Sequence, residues 1–324
     1  MAKNCKITNE IRVGVVGIGL MGSSIIVSLL LSGHKVVAIA SLPADMESAF
    51  DRITSQLQHS KCTGLLTEPI DAYLKCLVIS EDFADLHKCK LVLECVIEVL
   101  EIKNEVYQKI IKTVSGQTII ASNTSAIPIS SLQQFVPQPE RFLGIHWAEP
   151  AYMTRFLEVT CGEKTASSCA QWVCQLARYW GKEPTLLRRD IRGFITNRLM
   201  YAVYREGLAL MEKGDATIED IDKAFRYDAG SWMTLMGIFR RLDYLGLQDN
   251  ITILKNLFPG LSNSEEVPAG MQKIVSDEGR GIHNLKGFFN YTPDEAKKWE
   301  EAFAVFNQEI FHLAQKYPTE IAPA

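Results

Sequence analysis

Ile11-Arg12-Val13-Gly14-Val15-Val16-Gly17-Ile18-Gly19-Leu20-Met21-Gly22 decides the reading of this chain. The apolar run Ile11–Val16 reads as a buried strand, and Met21–Ser32 reads as a helix. Between them stands G-x-G-x-x-G in the strand–turn–helix context that gives the pattern its meaning. Gly17 permits the tight turn, Gly19 lets backbone N–H groups approach a pyrophosphate, and Gly22 lets the helix lie close on the strand. Leu20 and Met21, at the helix N-terminus, then present orphan N–H groups to the phosphates.

Working outward, Val13–Gly33 carries no charge, and Lys3, Lys6 and Arg12 precede it. A signal peptide or membrane helix has that profile. Gly14, Gly17, Gly19 and Gly22 crowd its first half, where a spanning helix needs bulky apolar residues. No small-residue cleavage site follows. A doubly buried strand and an inner helix account for the stretch better.

The composition agrees with a globular protein without a membrane anchor. The chain has 324 residues, 47% of them hydrophobic and 22% charged, and a net charge of −4. Two domains are expected at this length, and the weak negative charge argues against nucleic acid and anionic membranes as partners. The eight cysteines (Cys5, Cys62, Cys76, Cys89, Cys95, Cys161, Cys169 and Cys174) form no C-x-x-C pair. They read as buried free thiols of a cytoplasmic protein. No His/Cys group has metal-ligand spacing, so no metal is expected.

Candidate strands at Lys35–Ala40, Cys76–Ile79, Lys90–Val96, Thr118–Ala121, Arg141–Ile145 and Glu183–Leu187 alternate with helical stretches at Asp45–Ser60, Leu100–Val114 and Thr165–Tyr179. Alternation of this kind implies right-handed crossovers and a mostly parallel sheet. After Asp190 the strand-like runs end and helical periodicity takes over. Phe194–Lys213 reads as a long, largely buried helix, Thr217 caps another, and Thr292-Pro293-Asp294-Glu295 is a capping signature. The expected fold is therefore α/β: a Rossmann-type doubly wound sheet over residues 1–190, then an all-helical C-terminal domain over 191–324.

Four polar signatures interrupt the apolar pattern: Glu94-Cys95-Val96-Ile97-Glu98 with Lys103-Asn104; Ser122-Asn123-Thr124-Ser125; His146 with Glu158; and Gly193-Phe194-Ile195-Thr196-Asn197-Arg198. The second and third stand at strand ends, where open α/β sheets bind ligands. A histidine titrating near neutrality can take a hydroxyl proton and return it. A carboxylate on its other ring nitrogen fixes the tautomer.

Taken in order, these signatures resemble the L-3-hydroxyacyl-CoA dehydrogenase family, with its 3-hydroxybutyryl-CoA and lambda-crystallin/gulonate dehydrogenase relatives. The likeness runs from about Arg12 to about Tyr291 and takes in Gly214-Asp215-Ala216 and Lys286-Gly287-Phe288. It implies His146 as catalytic base, Glu158 as its paired carboxylate, and Ser125 and Asn197 around the substrate 3-oxygen and reacting carbon. Glu98, Lys103 and Asn123 match positions on the nicotinamide side. A 3-hydroxyacyl-CoA substrate, NAD and a homodimer formed through the helical domain follow as expectations.

Three departures qualify the substrate. The acid that ends the second strand and binds the ribose is absent: Ala40 stands there, followed by Ser41, which can donate to the ribose. NAD is expected, and NADP stays an open alternative. Glu149 stands where His146-Trp147-Ala148-Glu149-Pro150 would ordinarily carry an amide. Trp232-Met233-Thr234-Leu235-Met236-Gly237, followed by Arg240-Arg241, resembles the carnitine and lambda-crystallin-like branch. A dehydrogenase of a non-CoA hydroxy acid, such as gulonate or carnitine, is the nearest rival. A dinucleotide-binding protein without turnover is the rival from another class.

Overall fold

The computed structural model describes residues 11–41 and 43–317, so Cys5 lies outside the described residues. The glycine-rich stretch forms what its pattern predicts. Strand β1 (Arg12–Val16) runs into helix α1 (Leu20–Leu31) through the turn at Gly17. The uncharged run Val13–Gly33 is thus one strand and one helix. Among the described residues no helix is long and apolar enough to cross a membrane.

The remaining strands are β2 (Lys35–Ile39), β3 (Leu77–Ser80), β4 (Leu91–Glu94), β5 (Ile119–Ser122), β6 (Phe142–Trp147), β7 (Phe156–Cys161) and β8 (Glu183–Leu187). They form one sheet in the order β3-β2-β1-β4-β5-β6-β7-β8. Every pairing is parallel except β6 with β7. The helices between them are α2 (Pro43–Cys62), α3 (Ile70–Leu74), α4 (Leu100–Thr113), α5 (Ile129–Leu132) and α6 (Ser167–Tyr179).

Alternate residues of the central strands feed two separate cores. Val36, Ala38, Leu91 and Leu93 join α1, α2 and α6 in one. Val37, Ile39 and Val92 join α4 and α5 in the other. Burial on both faces explains why these strands read as unbroken apolar runs.

Strand β7 was not foreseen. The charge of Glu158 breaks its apolar run, and charge reads as a surface signal. Yet Glu158 is fully buried, because β7 is covered on both edges by β6 and β8. Strand β2 ends one residue early, at Ile39. Ala40 follows it and is itself buried, its N–H donating to the Ser80 carbonyl.

The described cysteines are all unpaired. Cys89, Cys161, Cys169 and Cys174 are buried as expected, Cys76 and Cys95 are half-buried, and Cys62 is exposed at the end of α2. Burial pushes the Cys89 thiol up to about 12, so it carries no thiolate at neutral pH.

The chain divides into two compact units, Met1–Ile195 and Thr196–Ala324. Taken by itself, the second contains α7 (Thr196–Lys213), α8 (Ile218–Ala224), α9 (Ile238–Leu245), α10 (Leu247–Leu257), α11 (Ala269–Ser276) and α12 (Pro293–Lys316). Its caps are as read: the Thr217 hydroxyl accepts from Asp220 N–H, and Thr292 and Glu295 close a full capping box. One expectation fails. Helix α7 contains no buried residue, with Leu199, Tyr201 and Tyr204 49%, 60% and 49% exposed. Among the described residues, its apolar side chains are half-buried or exposed.

Candidate active site

The cofactor end is built by the glycine turn. Gly17 has φ +92°, and its N–H donates to the Ile39 carbonyl. A Cβ on Gly22 would come within 1.9 Å of the Gly17 carbonyl oxygen, so helix and turn touch backbone to backbone. A Cβ on Gly19 would meet nothing within 4 Å. The space beside Gly19 is open, and α1 begins with no side-chain cap and no acid in its first turn. An uncapped, acid-free helix start facing open space suits an anionic pyrophosphate. These residues fit a dinucleotide.

One contributor was missed by the sequence reading. Arg52 of α2 reaches back to the glycine turn, donating from Nη1 to the Ile18 carbonyl and from Nη2 to Ser48 Oγ. No spacing rule links positions so far apart in the chain. Ser41, exposed, follows Ala40 at the end of β2.

A second cluster gathers at the ends of β4 and β5. Lys103 is 1% exposed and holds Glu94 Oε1 at 2.7 Å and Glu98 Oε2 at 3.1 Å. Glu94 also accepts from the Tyr107 and Ser122 hydroxyls, each at 2.7 Å, and from Val96 N–H. It is a satisfied buried charge, and its carboxylate pushes Tyr107, already raised by burial, further up. Glu98 accepts from the Thr124 hydroxyl and from the N–H groups of Ser125 and Ala126. Burial pushes the Glu98 carboxyl up, but Thr124, Lys103 and Ala126 outweigh it and hold it below the usual range. Glu98 therefore fixes the loop that carries Ser125. Asn123 ties the neighbouring strand in: its Oδ1 accepts from Trp147 N–H at 3.1 Å.

The histidine lies one strand further along. In the antiparallel register His146 of β6 stands directly opposite Glu158 of β7. His146 Nδ1 is 3.3 Å from Glu158 Oε2, and the other carboxylate oxygen accepts from Ile195 N–H at 2.8 Å. With Nδ1–H directed to the carboxylate, Nε2 is left to accept a proton. The ring lies between Phe156 and Phe194, with centroids 5.7 and 5.8 Å away. Phe194 is buried in the left-handed region, at φ 50°, just after Gly193 at φ 81°. A non-glycine residue held there marks a backbone set by its surroundings. Asn197, the second residue of α7, belongs to the other unit, two positions after Ile195.

The parts resemble a known set. Residues 12–191 match the family described as 3-hydroxyacyl-CoA dehydrogenase, NAD binding domain. Residues 193–291 match its C-terminal domain. The chain belongs to the 3-hydroxyacyl-CoA dehydrogenase family. It is an NAD-dependent oxidoreductase acting on a CH–OH group, and its first unit is the family's NAD-binding domain. Among its relatives, hydroxyacyl-coenzyme A dehydrogenase, mitochondrial, of Mus musculus is 31% identical over 86% of this chain and 91% of its own. The 5-formyl-3-hydroxy-2-methylpyridine 4-carboxylate 5-dehydrogenase of Mesorhizobium japonicum is 32% identical over 88% of this chain and 92% of its own. A crystal structure of an enzyme of that name, described as an NAD+ dependent dismutase, superposes with a TM-score of 0.87 at 30% identity, covering 95% of this chain and 99% of that one. The (S)-3-hydroxybutyryl-CoA dehydrogenase of Ralstonia eutropha gives 0.72 at 25% identity, covering 87% and 99%.

Proposed function

We propose that this protein transfers a hydride reversibly between NAD and the C3 carbon of a 3-hydroxyacyl thioester, with His146 as the base. The observation that carries the reading is the His146–Glu158 contact, in which a fully buried carboxylate meets Nδ1 and leaves Nε2 for the substrate hydroxyl. When bound, NAD supplies the hydride acceptor. His146 takes the hydroxyl proton, and Glu158 holds the imidazolium that results. Ser125 and, by family resemblance, Asn197 hold the 3-oxygen as charge develops on it. Glu98 and Asn123 shape the nicotinamide side, and Lys103 acts through Glu98. His146→Ala lowers turnover on the order of a hundredfold while leaving NAD binding close to wild type, as general-base loss should. Full activity in a folded variant would falsify the assignment. Glu158→Gln lowers turnover as well, and a normal rate and pH profile in it would argue against the pair.

A second reading is favoured by two observations. The likeness to the pyridine-carboxylate dehydrogenase covers more of this chain than the likeness to the 3-hydroxybutyryl-CoA enzyme, and with a higher TM-score. Glu149 also puts an acid three residues from His146. Under this reading the substrate is a small hydroxy or oxo acid without coenzyme A. Rates with acetoacetyl-CoA, longer 3-ketoacyl-CoAs, gulonate, carnitine and the pyridine carboxylate, each with NAD(H) and NADP(H), separate the two.

The second unit is read as the substrate and dimerisation domain, working as a homodimer. Along α12, Trp299, Phe303, Phe306, Ile310 and Leu313 alternate at spacings of four and three, the pattern of a helix–helix seam. Trp299, Phe303 and Phe306 are 56%, 62% and 55% exposed.

A further inference from the structure

Lys182 is the buried cation that the reaction above leaves unused. It is 4% exposed and immediately precedes β8. Its Nζ donates to the carbonyls of Ala151 and Thr154 and lies 5.4 Å from the centre of the Trp147 ring. No carboxylate forms an ion pair with it among the described residues. The charge that acts on it, Arg155, is itself paired with Glu183. Burial, with a smaller push from Arg155, lowers the Lys182 ammonium to about 7. A long cationic side chain is not kept in such a place without specific acceptors.

Those acceptors belong to one segment, the connection from β6 to β7. That connection joins His146 to the strand of Glu158, so its shape sets how the two side chains meet. It folds as a tight turn in which Met153 and Thr154 N–H groups donate to the Pro150 carbonyl. Ala151 N–H donates to Ser24 Oγ of α1, and Tyr152 hydroxyl bonds His59 of α2. The carbonyls of Ala151 and Thr154 accept from Lys182. Trp147, which follows His146, has Lys182 over one ring and stacks on Trp180 at 5.2 Å.

We propose that Lys182 is a positioning residue for the His146–Glu158 pair: its ammonium gathers the Ala151 and Thr154 carbonyls and the Trp147 ring, and so fixes the connection on which the pair's contact depends. This rests on the reading of His146 as base. The test uses the full-length enzyme with Lys182→Met, which keeps an apolar stem of similar length, and Lys182→Gln, which keeps one donor. Turnover is expressed per NAD-binding site titrated by calorimetry, so that loss of folded protein does not count as loss of rate.

Turnover per site falls about tenfold or more in Lys182→Met and less in Lys182→Gln, with the affinity for NAD within about threefold of wild type. In the His146→Ala background, Lys182→Met changes turnover less than about twofold, because residues acting as one unit are not additive. Unchanged turnover per site, an equal fall in both backgrounds, or loss of NAD binding in both Lys182 variants would each overturn the proposal. Full activity in His146→Ala alone overturns instead the reading of His146.

Discussion

The two units differ in how they dispose of apolar surface. In the first, both faces of the central strands of the sheet are covered, and every fully buried apolar side chain among the described residues lies before Thr196. In the second, Phe239 is 82% exposed and Tyr244 72%. Burial of apolar area is the main favourable term in folding. The first unit thus carries its own core, whereas the helices of the second leave large apolar side chains exposed. Cofactor chemistry belongs to the self-sufficient unit, and the proposed homodimer contact to the other.

The sharpest way to break that division lies within the glycine turn. Gly19→Val abolishes NAD binding at an unchanged melting temperature, because its side chain enters open space that the pyrophosphate needs. Gly22→Val loses both binding and melting temperature, because its Cβ meets backbone at 1.9 Å. Calorimetric titration and thermal denaturation read the two effects. If Gly19→Val binds NAD normally, the turn is structural only.

The second unit is challenged next. Phe303→Glu with Phe306→Glu places charges in the α12 seam and shifts sedimentation toward the monomer, weakening association by on the order of a hundredfold. NAD binding by the first unit persists. An unaltered sedimentation profile means that α12 is not at the interface.

A smaller effect tests how α2 supports the cofactor end. Arg52→Ala removes a guanidinium from the glycine turn and weakens NAD binding by about tenfold, the scale of one charge-assisted hydrogen bond. Titration by calorimetry measures it, and an unchanged dissociation constant would place Arg52 outside the cofactor's reach.

A change of comparable size comes from Ala40→Asp. A carboxylate after β2 accepts from the ribose hydroxyls and repels a 2′-phosphate, moving preference toward NAD by about 1–3 kcal/mol. The ratio of kcat/KM with NAD and with NADP reports it. A constant ratio means that residue 40 does not face the ribose.

Much of this protein was legible in order along the chain. The glycine turn, the alternation of strands and helices, and the caps at Thr217 and Thr292 are local, and local sequence specifies them. The β-branched strands were readable because a doubly covered sheet leaves few polar residues to interrupt them. Strand β7 was hidden for the opposite reason: its Glu158 is a fully buried carboxylate within the strand, tolerable because His146 and Ile195 satisfy it.

The sequence by itself determined a dinucleotide-type sheet, the turn at its head, and the residue types from which a hydride-transfer site is made. Only the tertiary structure decided which of them meet. It set His146 opposite Glu158 through an antiparallel register, placed Lys103 between two carboxylates, and brought Arg52 and Lys182 to segments far from them in the chain. The physical reason is one of range. Helix, strand and turn preferences act over a few residues, whereas a buried charge is placed by partners that only the folded sheet brings together.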